Sequence, residues 1–130
     1  MIPADTDVLI DYLAGVEPVR AMIMRYAEAQ RLETTVITCF ELLSGAGEGK
    51  RGDAVRSLLG ALSVLPLDRE AATHAAGIRR KLERAGQPIG MADSLIAGIA
   101  VAHDAALFTR NRKHFARVPD LQLVDIEEQS

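Results

Sequence analysis

Residues 34–43 read Thr-Thr-Val-Ile-Thr-Cys-Phe-Glu-Leu-Leu, and this stretch decides the predicted fold class. Residues 34–38 are all β-branched and predict a strand, because branched side chains pack well on a pleated sheet. Residues 40–43 predict a helix, which ends in the glycines at positions 45, 47 and 49. A strand that leads directly into a helix is the repeating unit of a parallel sheet covered by helices.

The same alternation extends towards both ends of the chain. Strands are predicted at residues 2–5, 64–67, 106–109 and 121–124, and helices at 8–13, 18–27, 53–62, 68–85 and 90–100. The helices are predicted from apolar residues spaced three and four positions apart, and Asp68 is placed to cap one of them. Five short strands interleaved with helices predict an α/β fold, a three-layer α/β/α sandwich with a short, mostly parallel central sheet.

Length and composition predict a single domain that covers residues 1–130. The chain is 48% hydrophobic and 25% charged, as is ordinary for a globular protein that folds without disulfides. Its one cysteine, Cys39, has no partner for a disulfide or a zinc site and suits a reducing compartment. No stretch approaches the roughly 20 apolar residues of a membrane span, and the first residues do not resemble a signal peptide. We therefore expect a cytoplasmic protein with no membrane association.

The net charge of −3 does not indicate nucleic-acid binding, because proteins that bind nucleic acids usually carry an excess of positive charge. The positive charges are nevertheless clustered, and many of the acidic residues fall elsewhere. One group contains Arg79, Arg80, Lys81 and Arg84, and the other contains Arg110, Arg112, Lys113 and Arg117. Local basic patches beside an acidic, metal-binding pocket are compatible with an RNA substrate.

Carboxylates are predicted to converge at one edge of the sheet. Asp5 and Asp7 follow the first strand, Glu41 opens the helix after the second, and Asp93 lies in the first turn of a later helix. Sites in open parallel sheets form outside the carboxyl ends of the strands, so these side chains are expected to lie close together. A hard divalent cation such as Mg²⁺ would relieve their repulsion and could activate water for attack on a phosphate.

Each of these carboxylates also has a purely structural interpretation. Asp5 and Asp7 could form a turn or a helix cap, since aspartate favours both. Thr38-x-x-Glu41 fits a capping box, in which the glutamate reaches back to the backbone at Thr38, and the local sequence favours this interpretation. Asp93 could be an acid in the positive first turn of a helix, although its apolar neighbours predict partial enclosure and so favour function.

The sequence resembles PIN-domain ribonucleases in four ordered motifs that cover essentially the whole chain. Residues 1–11, MIPADTDVLID, are similar to the opening of that family, where an apolar strand runs into Asp-Thr-Asn/Ser-Val-Leu-Ile-Asp. Residues 36–45 resemble the second motif with its acidic-site glutamate, and residues 86–97 resemble the third with its metal-binding aspartate. Residues 109–119 resemble the family's closing motif. Each motif alone is weak, whereas the ordered set is specific.

Among PIN domains, a chain of this length is similar to the VapC toxins of bacterial and archaeal toxin–antitoxin pairs. The resemblance implies a hydrolase, a Mg²⁺-dependent endoribonuclease with Mn²⁺ as a substitute, that cuts RNA and arrests translation. It also implies a homodimer and inhibition by a small VapB-type antitoxin whose C-terminal segment occupies the active-site groove. By the same resemblance the catalytic residues are Asp5, Glu41 and Asp93. Asp5 and Asp93 hold the metal, and Glu41 is the supporting acid that orients water.

One position departs from the family pattern. The closing motif often has Asp or Glu immediately before its phenylalanine, where this chain has His114 before Phe115. Three side chains are candidates to support the acidic residues instead. Asn111 could hydrogen-bond to them, His114 could contact phosphate, and Asp7 could supply the missing charge. If none compensates, metal affinity or turnover would be lower.

Two other functions stay open on the sequence. The His114 change could leave a PIN-like module that is weak or inactive as an enzyme and binds RNA or a protein, and metal binding separates these cases. A phosphatase is the third hypothesis, because Asp5-x-Asp7 resembles the paired aspartates of haloacid-dehalogenase-like enzymes. That family has Thr or Val two residues past the second aspartate, where this chain has Leu9, and usually a longer chain.

Overall fold

A parallel three-stranded sheet lies at the centre of the computed structural model, which describes residues 1–127. The end of the predicted domain, residues 128–130, lies outside the described range. The strands are β1 (Ile2–Ala4), β2 (Leu32–Thr35) and β3 (Ser63–Leu65), in that order across the sheet. Within residues 1–127 the helices are α1 (Thr6–Ala14), α2 (Val19–Glu28), α3 (Val36–Ala46), α4 (Lys50–Ala61), α5 (Arg69–Arg84), α6 (Met91–Ala102) and α7 (Arg112–Phe115).

Two extended segments continue the sheet on the free side of β1. Phe108 forms an isolated parallel bridge with Ala4, and Leu107 forms another with Leu123. The Phe108 N–H donates to the carbonyl of Pro3 at 2.9 Å. The strands predicted at 106–109 and 121–124 are therefore correct in place and direction but wrong in extent. Pairing stops after single bridges because the first segment turns towards α7 directly after Thr109.

The predicted helices are confirmed, and two of their ends follow from single residues. Gly15 ends α1 in the left-handed conformation, with φ +75°. Asp68 caps α5, where its Oδ1 accepts a hydrogen bond from the Ala71 N–H at 2.9 Å. Asp68 is therefore a capping residue, as its position before the helix predicts.

The strand predicted at residues 34–38 is wrong beyond Thr35. β2 ends there, and residues 36–38 already belong to α3. The Thr35 hydroxyl accepts a hydrogen bond from the Thr38 N–H at 3.1 Å and so caps the helix. A cap and the tertiary packing of the helix outweigh the weak strand preference of Val36, Ile37 and Thr38.

Apolar clusters on the two sides of the sheet make the fold a three-layer α/β/α sandwich. The buried members from α1 and α2 on one side are Val8, Leu9, Val19, Met22 and Ile23. The buried members from α5 and α6 on the other side are Ile78, Leu82, Ile96, Ala97 and Ala100.

The helices α5 and α6 approach each other closely at Gly98. A Cβ at this position would lie 2.6 Å from the Ala75 Cβ and 2.7 Å from the Ala71 carbonyl oxygen. The absence of a side chain thus lets α6 pack directly on α5. This contact fixes the helix that carries Asp93.

Among the residues that the structure describes, no helix has both the length and the apolar character that crossing a membrane would require.

Candidate active site

Asp5 lies where β1 ends and α1 begins. Its Oδ1 accepts a hydrogen bond from the Thr6 N–H at 2.8 Å, and its Oδ2 accepts one from the Thr109 hydroxyl at 2.8 Å. The residue is only 6% exposed. Burial, and next the negative charge of Asp7, raise the pKa of Asp5 to about 6 against the opposing effect of the two hydrogen bonds. A buried acid perturbed in this way is typical of a functional site rather than of a simple helix cap.

Asp7 lies in the first turn of α1 and faces residues 109–111, which we call the closing segment. Its two oxygens lie 3.3 and 3.1 Å from the backbone nitrogen of Arg110, whose N–H they accept. Its Oδ2 also lies 3.4 Å from the Thr109 hydroxyl. Asp7 therefore adds negative charge beside Asp5 and ties the closing segment to α1.

Glu41 lies in the middle of α3 and not at its start, contrary to the sequence prediction. The Thr6 hydroxyl donates a hydrogen bond to its Oε1 at 2.7 Å. The capping box proposed at Thr38 is wrong, because the N-cap of α3 is Thr35. The carboxylate of Glu41 is consequently available to the site, where its charge raises the pKa of Asp93.

Asp93 lies in the first turn of α6, with 27% of its side chain exposed. Burial, followed by the charge of Glu41, raises the pKa of Asp93, and Asp7 adds to the rise. His114 acts in the opposite direction and lowers it. The purely structural interpretation, an acid that favours the positive end of a helix, does not account for a carboxylate surrounded by other acids.

Asn111 and His114 stand beside Asp93 on the solvent side. Asn111 donates from Nδ2 to the Asp93 Oδ2 at 3.4 Å, and the same Nδ2 lies 3.1 Å from the His114 Nδ1. The His114 Nδ1 lies 4.0 Å from the Asp93 Oδ2. Both side chains thus occupy the neighbourhood from which a fourth acid would act, and their supporting roles stay predictions.

The structure brings Asp5, Asp7, Glu41 and Asp93 together in what we call the acidic cluster. Asp7 and Asp93 act on the pKa of Asp5, and Glu41 and Asp7 act on the pKa of Asp93. Within residues 1–127, however, no group of three or more His, Cys, Asp or Glu side chains could hold a metal ion as they stand. Mg²⁺ usually keeps several water ligands and uses one or two carboxylates. The donors of the acidic cluster fit a hydrated Mg²⁺ of this kind.

Thr6 and Thr109 are site residues that the sequence does not single out. Thr6 donates to Glu41, and the fully buried Thr109 donates to Asp5. Threonine is common in strands and caps, so its chemistry gives no signal by itself. The available signal is position, since Thr6 lies between two motif aspartates and Thr109 opens the closing segment.

An apolar groove of about 380 Å³ lies between α1, α3 and α4 and reaches Glu41. Ile10 and Leu13 line it from α1, and Leu42 lines it from α3. Arg51 adds one positive charge from α4. The groove therefore offers an apolar surface that ends at the acidic cluster.

The chain is similar in sequence to known ribonucleases over most of its length. The sequence profile of the PIN domain matches residues 3–121. The tRNA(fMet)-specific endonuclease VapC of Salmonella typhimurium is 33% identical over 99 residues, which cover 73% of this chain and 75% of that protein. Ribonuclease VapC10 of Mycobacterium tuberculosis is 33% identical over 122 residues, which cover 94% of this chain and 91% of that protein.

The fold is similar to chains in solved VapBC structures. A chain of VapBC2 from Rickettsia felis, bound to a DNA fragment from the promoter, matches with a TM-score of 0.83 and 26% identity, covering 98% of this chain and 100% of that chain. A chain of DNA-bound VapBC from Salmonella typhimurium matches with a TM-score of 0.83 and 29% identity, covering 95% of this chain and 96% of that chain. These similarities confirm the α/β sandwich predicted from the sequence.

Proposed function

The chain belongs to the PIN-domain family in its VapC-type branch, and we propose on this premise that it is a Mg²⁺-dependent endoribonuclease. In this proposal it is the toxin of a type II toxin–antitoxin pair and cleaves RNA in the cytoplasm, which inhibits translation. The observation that carries the proposal is the acidic cluster, in which burial and mutual repulsion raise the pKa values of Asp5 and Asp93. These acids lie at the end of β1, at the starts of α1 and α6 and in the middle of α3, and their mutual repulsion suits a divalent cation.

Asp5 and Asp93 would hold the metal, with Mn²⁺ as a substitute for Mg²⁺. The cation supplies positive charge that offsets the phosphate and lowers the pKa of water. Glu41 accepts the Thr6 hydroxyl at Oε1, which leaves Oε2 without a hydrogen-bond partner in the described residues. Oε2 can then accept a proton from the attacking water, and Thr6 fixes the carboxylate for this role.

Asn111 and His114 take the place of a fourth acid in this proposal. Asn111 orients the Asp93 carboxylate through its hydrogen bond to Oδ2. His114 has 46% of its side chain exposed and can donate to a phosphate of the RNA. A neutral amide and an imidazole contribute less negative charge than a carboxylate would, so we expect the second metal site of this cluster to be weak.

We propose a VapB-type antitoxin as the protein partner. The solved structures of similar fold are VapBC complexes, and the apolar groove that reaches Glu41 suits an amphipathic segment of a partner. A segment lying there would cover the acidic cluster and block RNA. We also propose a homodimer, as the family resemblance implies.

Cleavage of RNA by the purified, antitoxin-free protein tests the proposal, with Asp93→Asn as the decisive variant. The substitution removes a negative charge and little volume, so we expect lost cleavage in a protein that still folds. Structured RNAs are incubated with Mg²⁺ or Mn²⁺, beside EDTA and a small phosphomonoester as an alternative substrate. Asp53→Asn is the control, because Asp53 has 74% of its side chain exposed on α4. An Asp93→Asn protein with metal-dependent activity would contradict the assignment.

A catalytically weak or inactive module that binds RNA or a protein is the second candidate. The observation that favours it is His114, which stands where the family often has an acidic residue. Calorimetry with Mg²⁺ and Mn²⁺ separates the two candidates. Metal uptake that Asp93→Asn abolishes supports the nuclease. A folded wild type that takes up neither metal and cuts no RNA supports the binding module.

A further inference from the structure

Arg110 and Asp11 form a two-point ion pair at the edge of the acidic cluster. The Arg110 Nε lies 2.6 Å from the Asp11 Oδ2, and the Nη2 lies 3.3 Å from the Oδ1. Asp11 lies one turn after Asp7 on the same face of α1 and is 8% exposed. Two-point contacts between arginine and a carboxylate fix geometry as well as charge.

Residues 109–111 donate hydrogen bonds to three acids of the cluster. The Arg110 N–H donates to Asp7, and the preceding Thr109 hydroxyl donates to Asp5. The following Asn111 donates from its N–H to the Thr109 hydroxyl oxygen at 3.0 Å and from its side chain to Asp93. The position of the closing segment therefore determines which donors Asp5, Asp7 and Asp93 receive.

The hydrogen bonds that hold the closing segment directly on the cluster are mostly long. The donor–acceptor distances at Asp7 and Asp93 lie between 3.1 and 3.4 Å, whereas the Arg110–Asp11 contact is 2.6 Å. The ion pair is thus a shorter contact between the closing segment and α1 than any hydrogen bond that Asp7 accepts from this segment.

We propose that Arg110, held by Asp11, is a positioning residue for the acidic cluster. Its side chain fixes the closing segment so that Thr109 orients Asp5 and Asn111 orients Asp93. Neither Arg110 nor Asp11 touches the reacting atoms in this arrangement. The inference rests on the proposed function for its catalytic consequence, but its structural part concerns the metal-free protein alone.

An ordinary surface ion pair is the competing explanation, and the chain offers a matched example. Arg56 contacts Asp53 at 2.7 Å, and its side chain is 52% exposed, as is that of Arg110. The two carboxylates differ, because 74% of the Asp53 side chain is exposed and 12% of the Asp11 side chain. Asp53 and Arg56 also lie within one helix, so their contact with each other joins no two segments, and outside α4 Arg56 makes only a long hydrogen bond of 3.4 Å to the Gly47 carbonyl among the described residues. Pairs of that kind contribute little.

The test compares Arg110→Ala, Arg110→Lys and Arg56→Ala in the full chain. Amide hydrogen exchange of Arg110 and Asn111 is measured by NMR without metal, Mn²⁺ affinity by calorimetry, and kcat and KM on RNA. We expect Arg110→Ala to speed exchange at both amides and to weaken Mn²⁺ binding and lower kcat about 10- to 100-fold, with KM little changed. Arg110→Lys should recover part of each loss, because it keeps the charge without the two-point geometry.

The double variant Asp11→Asn with Arg110→Gln covers the case in which Arg110→Ala does not fold, since it leaves no unpaired buried carboxylate. It should show the same fast exchange and weak Mn²⁺ binding. Exchange and Mn²⁺ affinity that match those of Arg56→Ala in the folded variants would overturn the inference. A wild type that cuts no RNA would count against the proposed function only, because exchange and metal affinity still decide the role of Arg110.

Discussion

Asp5 should make the stability of the metal-free protein depend on pH. The folded state keeps a proton on Asp5 up to about pH 6, whereas the unfolded chain releases it near about pH 4. Between these values the unfolded state binds fewer protons, so the free energy of unfolding falls as the pH rises. The protonated Asp5 adds on the order of 3 kcal/mol to the free energy of unfolding. This contribution is fully present below about pH 4 and is lost above about pH 6.

Asp5→Asn isolates this effect, because asparagine keeps an oxygen for the Thr6 N–H and cannot ionise. Urea unfolding of both proteins in EDTA at several pH values should show the variant gaining stability over the wild type between about pH 4 and 6. The gain should level off at higher pH. Asp68→Asn, at the N-cap of α5, controls for the change of capping side chain. Parallel stability curves for wild type and Asp5→Asn would contradict the prediction.

At the scale of single residues, charged positions could be predicted from the sequence and their partners could not. Asp5, Glu41 and Asp93 stand out because each lies in a recognisable motif beside the predicted end of a strand or the predicted start of a helix. Thr6 and Thr109 carry no charge, and their value comes from the short hydrogen bonds that their hydroxyls donate to Glu41 and Asp5. Such bonds join residues 35 and 104 positions apart, which no local pattern encodes.

The close packing of α5 on α6 predicts opposite effects for the same substitution at two helical glycines. Gly98→Ala places a methyl group 2.6 Å from the Ala75 Cβ and should lower the free energy of unfolding by about 1–3 kcal/mol. Gly77→Ala on α5 meets no atom within 4 Å and should raise it by about 0.5–1 kcal/mol, because alanine favours the helix. Urea unfolding measures both changes. A Gly98→Ala protein at least as stable as the wild type would show that the two helices can separate at no cost.

At the scale of elements, alternation of strand and helix is predictable and element boundaries are not. The strand expected through residue 38 ends at Thr35, because the Thr35 hydroxyl caps α3. The same misplaced boundary produced the false capping box, and it placed Glu41 at the start of a helix instead of in its middle. β-branched residues carry only a weak strand preference, so a cap and a buried helix face decide the outcome.

At the scale of the whole molecule, an exposed apolar stripe on α3 is the candidate interface of the proposed homodimer. Val36, Phe40 and Leu43 follow one another at i, i+4 and i+7, and Phe40 is 70% exposed. If the proposed homodimer forms through this stripe, Phe40→Lys should convert it to a monomer, because the charge would be buried unpaired. Analytical ultracentrifugation measures the oligomeric state of each protein. Val16→Lys, at another exposed apolar residue, should leave it unchanged. A Phe40→Lys dimer would exclude the stripe, and a monomeric wild type would exclude the dimer.

At the scale of the whole molecule, the sandwich follows from alternation, but the assembly of the site does not. The order of the four motifs indicates which acids belong together through family resemblance. It does not show that the closing segment reaches Asp5, Asp7 and Asp93 at once, or that Arg110 pairs with Asp11. Those contacts depend on the bridge between Ala4 and Phe108, which is too short to register as a strand in any sequence pattern.

The bridge between Ala4 and Phe108 also has a consequence for how the protein is made. A ribosome produces Asp5 and Glu41 early, but Asp93 and the closing segment emerge only after most of the chain exists. A nascent chain that stops between β3 and α6 would hold three of the four acids of the acidic cluster, together with Thr6, but would lack Asp93 and the donors of the closing segment. Under the proposed function, an interrupted message would thus yield a harmless fragment, and damage to RNA could begin only once the two distant parts of the chain have met.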